Sequence, residues 1–105
     1  MRHSFVTGAA AVNYSLSPGI GFQLREVRIH LDAVGGAGDL TISIDSAAGA
    51  TYDAVLVTQD MTAVADLCYM PDHPHEFVAG DVLKIAWANA GTKTYGIEVI
   101  WAWSP

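Results

Sequence analysis

The sequence predicts an all-β protein: a single-domain antiparallel β-sandwich or jelly roll of seven to eight short strands over residues 1–105. Three observations carry that prediction. Apolar side chains recur at every second position, the period of a strand with one buried face, and helical spacing is almost absent. The alternating runs are short and are divided by turn clusters such as "VGGAGD", "SAAGA" and "AGTK", the rhythm of sandwiches and barrels. The chain has 105 residues, 51% of them hydrophobic, with no linker, low-complexity tract or internal repeat, so it holds one modest core.

Along the chain, "HSFVT" and "AAVNYSL" read as short strands, and residues 1–20 also suit an extended arm that contacts neighbouring copies. "REVRIHLDA" sets Val27, Ile29 and Leu31 against Arg28, His30 and Asp32. "DLTISIDS" sets Leu40, Ile42 and Ile44 against Thr41, Ser43 and Asp45, and the glycine-rich turn between the two runs predicts a hairpin with one wet face. "TYDAVLVTQDM" is a strand apolar on both sides, with Tyr52, Ala54 and Leu56 facing one way and Val55 and Val57 the other. A short helix at Thr62–Asp66 competes with a strand at "VADLCYMP", which Pro71 closes. "VLKIAWAN" points Leu83, Ile85 and Trp87 to one side, and "TYGIEVIWAW" does the same with Tyr95, Ile97, Val99, Trp101 and Trp103.

Composition excludes several function classes. The net charge is −6, and the five cations Arg2, Arg25, Arg28, Lys84 and Lys93 are scattered, so no basic stripe serves a nucleic acid. No stretch approaches the roughly 20 apolar residues of a membrane span, and "MRHSFVTGAAAVNYSLSPG" is too interrupted for a signal-peptide core. Synthesis in a cytoplasm, with no membrane partner, is the expectation. Cys68 is the only cysteine, which rules out an intrachain disulfide, and its place in a strand pattern predicts a small buried hydrophobe.

The densest polar motif is "PDHPHE". In an extended segment His73 and His75 share a side, and with Glu76 they are the candidate ligands for zinc, iron or manganese. The pattern is similar to that of the cupins, where His-x-His is followed a few residues later by Glu. Here Glu76 directly follows His75 and so points away from the pair. The reading adopted is a proline-bounded loop facing water, with no metal and no cofactor. No nucleophile elbow, phosphate loop or calcium loop occurs, so no enzyme is expected. Trp87, Trp101 and Trp103 would suit a sugar platform but fall on the core register, with Trp103 reaching the rim.

Only 15% of the residues are charged, and the mean hydropathy is +0.29. Both predict that part of the surface is hidden in an assembly. Strands apolar on both faces need a cover on both, and a two-layer sandwich supplies one. Val55, Val57 and Ile100, with Ala86 and Ala88, are the outward residues left over, and Val55, Val57, Ile100 and Trp103 form the expected oligomer or partner interface.

The segments "LTISIDSAAGATYDAVLVTQDM" and "AGDVLKIAWANAGTKTYGIEVIW" resemble small all-β accessory proteins encoded among the structural genes of tailed bacteriophages. The resemblance spans roughly Arg25 to Trp101 and rests on strand-and-turn style, not on a catalytic signature. It implies a virion component that decorates or cements the capsid or sits on the tail. It also implies a homotrimer and, as partners, the major capsid protein or tail proteins. A carbohydrate- or receptor-binding sandwich is the alternative, and a cupin-like metalloprotein the weaker one.

Overall fold

Alternation becomes nine strands in the computed structural model, which describes all residues from Met1 to Pro105. They are β1 (Arg2–Gly8), β2 (Val12–Leu16), β3 (Phe22–Leu31), β4 (Asp39–Asp45), β5 (Ala54–Asp60), β6 (Asp66–Tyr69), β7 (His75–Phe77), β8 (Val82–Trp87) and β9 (Tyr95–Trp103). One sheet runs β1-β9-β3-β6, with β7 also paired to β3; the other runs β2-β8-β4-β5, and all pairings are antiparallel. Early and late strands interleave in both sheets, and the chain crosses repeatedly from one to the other. This is the jelly-roll arrangement of the sandwich the sequence predicts.

Strand β7 takes the number beyond the expected seven or eight. Three residues behind Pro74 are too few to show a period. They form a strand by pairing with Phe22–Leu24, beside the stretch of β3 that β6 leaves open. Residues 1–20 are not an arm: β1 lies along β9 and β2 along β8, so both are built into the sheets. No helix forms at Thr62–Asp66. Thr62 makes a bridge to Gly35, and Ala63 sits at φ 62°, in the left-handed region. Gly35 has no alternative there, because a Cβ would stand 2.5 Å from the Met61 carbonyl oxygen. No helix of the protein is long and apolar enough to cross a membrane.

The core lies between the sheets as one cluster of 17 buried residues. The first sheet contributes Phe22, Leu24, Val27, Ile29, Leu31, Phe77, Tyr95, Ile97, Val99 and Trp101; the second contributes Val12, Leu40, Ile42, Leu83, Ile85 and Trp87. Phe22 stacks on Phe77 at 4.5 Å and meets Trp101 edge-on at 5.8 Å. Two buried polar residues close the ends. Asp81 accepts from the Ala47 and Val78 amides, and the Asn89 side chain bonds to Ala10 and to both backbone groups of Lys93.

Two bulges correct the expected outward residues. In β5, Val57 is opposite Ile42 but Val55 is opposite Ser43, so Leu56 is an extra residue. A bulge shifts the alternation by one. Val57 therefore shares the core side of Ile42 and packs against the core, while Val55 stays outward and 61% exposed. In β3, Arg25 is the extra residue between Leu24 and Glu26. The bulge falls opposite Ile100 and Trp101, and Ile100, which lies between His3 and Glu26, is only 6% exposed. Val57 and Ile100 are thus not free surface.

Candidate functional site

The outer face of the β1-β9-β3-β6 sheet gathers the chemistry. Alternation sends His3, Phe5 and Thr7 outward from β1, and Glu98 and Gly96 outward from β9. From β3 come Glu26, Arg28 and His30, and from β6 Asp66 and Cys68. Register aligns these side chains in rows across four strands. Phe5, Glu98, Arg28 and Cys68 form one row, and Thr7, Gly96, His30 and Asp66 the next.

The rows are tied by ion pairs. Glu98 accepts from His3 Nδ1 at 2.5 Å when that imidazole is protonated there, and holds Arg28 Nη1 at 3.4 Å. Arg28 Nε donates to Glu26 at 2.7 Å, and the Cys68 thiol donates to the same carboxylate at 3.1 Å. His30 Nδ1 lies 2.6 Å from Asp66 Oδ1. Arg28, and then the Cys68 thiol, hold the Glu26 carboxyl below its ordinary pKa. The hydrogen bond to Glu26, with burial and the nearby negative charge, pushes the Cys68 thiol above its ordinary value. A thiol kept protonated is a poor nucleophile. The arrangement is suited to recognition: fixed donors and acceptors around a depression of about 720 Å3.

That depression opens where β9 carries Gly96, which leaves a gap in the second row between Thr7 and His30. Phe5, 72% exposed, stands on its β1 side. Cys68 is exposed, not buried as its strand pattern suggested, because Leu67 and Tyr69 take the inward positions of β6. The sequence reading also missed Phe5, Glu26, Glu98 and Gly96. Two signals for this face are present in the sequence: a glycine inside a strand pattern in "TYGIEVIW", and long polar side chains at alternate positions in "EVRIH".

His73, His75, Glu76, Trp103 and Val55, singled out from the sequence, lie outside this depression. The His75 ring stacks on Tyr69, with Nε2 2.6 Å from its hydroxyl. Burial, and then the Asp72 charge, raise the pKa of that hydroxyl. Glu76 is engaged by Gln23 and by the Ser104 hydroxyl at 2.9 Å, while His73 is exposed. No group of three His, Cys, Asp or Glu side chains is placed to hold a metal ion. Trp87 and Trp101 are in the core. Trp103 meets Trp101 edge-on at 4.7 Å and carries the Arg2 guanidinium over its ring at 5.5 Å, so its platform is occupied. Val55 lies on the opposite sheet.

No protein-family model matches the chain, and no curated protein matches it.

Proposed function

We propose that this chain is a non-enzymatic structural component of a tailed-phage particle, a capsid decoration or stabilising protein that works as a homo-oligomer, with a trimer favoured. It would be made in the host cytoplasm and end in the virion, bound to the major capsid protein or to tail proteins. The observation that carries the reading is the outer face of the β2-β8-β4-β5 sheet. Asn13, Ser15, Thr41, Ser43, Ala86 and Val55 give that face small, neutral side chains around one ion pair, Lys84–Asp45 at 3.0 Å, with Asp39 and Asp60 at one end. Such a face desolvates at low cost and would bury apolar area at about 25 cal/mol per Å2. Jelly rolls recur in viral capsid domains, a likeness of fold that by itself assigns no function.

The test is a phage lacking this gene. Bound copies would add their binding free energy to the assembled shell. The deletion phage should assemble, then lose DNA at a lower temperature than the parent, and electron microscopy of parent particles should show the protein at repeating lattice positions. Equal heat survival with normal adsorption would sink the role. Equal survival with lost adsorption would favour the receptor-binding alternative.

A further inference from the structure

Gly96 sits in β9 between two paired neighbours, where glycine weakens a strand through backbone freedom and the missing side chain. The fold does not require it. Its φ is not in the left-handed region, and an added Cβ would meet nothing within 4 Å. Gly35, by contrast, is forced by the Met61 carbonyl. The space over Gly96 is therefore room that the fold leaves free.

We propose that the depression over Gly96 binds a neutral sugar, with the C–H face of a pyranose ring against Phe5. His3 stacks on one side of the Phe5 ring, at 6.3 Å and 15° between planes, and Phe5, still 72% exposed, lines the depression. An exposed aromatic face is the usual seat for an apolar ring surface. Around it the polar groups are already held: Arg28 by Glu26 and Glu98, and His30 by Asp66. Sugar hydroxyls both donate and accept, and a guanidinium beside carboxylates offers both roles through charge-assisted bonds. Groups fixed in advance lose little freedom on binding.

Charge selects the class of sugar. Of the lining residues, Glu98 and Asp66 outnumber Arg28, and the whole chain carries −6. Uronic, sialylated or phosphorylated sugars are repelled, while neutral hexoses are not. A protein partner fits less well, because closing such a rim would desolvate Arg28, Asp66 and Glu98, and interface cores are depleted of charge. The volume of about 720 Å3 falls within the common range of ligand sites, about 300–1,000 Å3.

The experiment is amide NMR on the isotope-labelled chain, titrated at millimolar concentration with maltohexaose, cellohexaose, chitohexaose, mannohexaose and galactohexaose, and with polygalacturonate. At least one neutral oligosaccharide should shift the amides of Phe5–Thr7, Arg28–His30 and Gly96–Glu98, and polygalacturonate should not. Gly96→Val places a strand-favouring side chain in the open space. It should keep the dispersed spectrum and abolish those shifts. Phe5→Ala should weaken binding about tenfold, the loss of one stacking contact. The proposal is overturned if none of the neutral oligosaccharides shifts these amides, or if Gly96→Val binds like the parent. It is also overturned if polygalacturonate is preferred, or if the same amides shift with protein concentration alone, which would mark a second copy as the occupant.

Discussion

Cys68 and Glu26 show how one hydrogen bond sets the reactivity of a surface residue. The thiol donates to the carboxylate, and ionising it would remove that bond and place a second negative charge beside the first. Its pKa is therefore raised, and less thiolate is present at pH 8 than for a free cysteine. Alkylation by iodoacetamide at pH 8 should be slower than for an unstructured thiol, and should climb with pH beyond the ordinary thiol range. Glu26→Gln removes the charge and should speed it. Alkylation as fast as for the unstructured thiol would contradict the geometry. Glu26 itself shifts the other way, chiefly through Arg28. What it contributes to stability is fully present above the ordinary carboxyl pKa and is lost as pH falls through the lowered one.

At the scale of elements, most strands were legible because burial on one face imposes a period of two. What was not legible is where the period breaks. "AVLVT" reads as unbroken alternation, and nothing local marks Leu56 as an extra residue; only pairing with β4 reveals it. Arg25 is hidden in the same way within β3. The site was less legible still, since Phe5 and Gly96 line one depression only because β1 pairs with β9 from the other end of the chain. The β5 bulge makes a sharp prediction about two valines. Val57→Asp buries a charge against the core and should cost about 2–4 kcal/mol. Val55→Asp, on the exposed side, should change stability by no more than about 0.5 kcal/mol. Urea midpoints of the two purified variants decide the matter. Equal losses would mean that β5 keeps a regular alternation and has no bulge.

At the scale of the whole molecule, the two outer faces differ in kind. One carries the ion-pair rows around Gly96, and the other is mostly small neutral side chains around the single Lys84–Asp45 pair. If copies associate through the second face, their contact is weakly electrostatic, yet each copy carries −6. The molecule measures 38 × 30 × 23 Å. At 0.01 M salt the screening length is about 30 Å, so copies repel across their full width; at 0.15 M it is about 8 Å, and the repulsion is largely screened. Self-association should therefore strengthen as salt is added, read as a rising weight-average mass in sedimentation or light scattering. Ala86→Glu, placed at the centre of that face, should keep the protein monomeric without lowering its melting temperature. Binding to basic residues of a capsid would respond in the opposite direction, weakening with salt, so the two contacts separate in one titration. A chain that stays monomeric at every ionic strength, or whose mass falls as salt rises, would remove the β2-β8-β4-β5 face as an assembly surface.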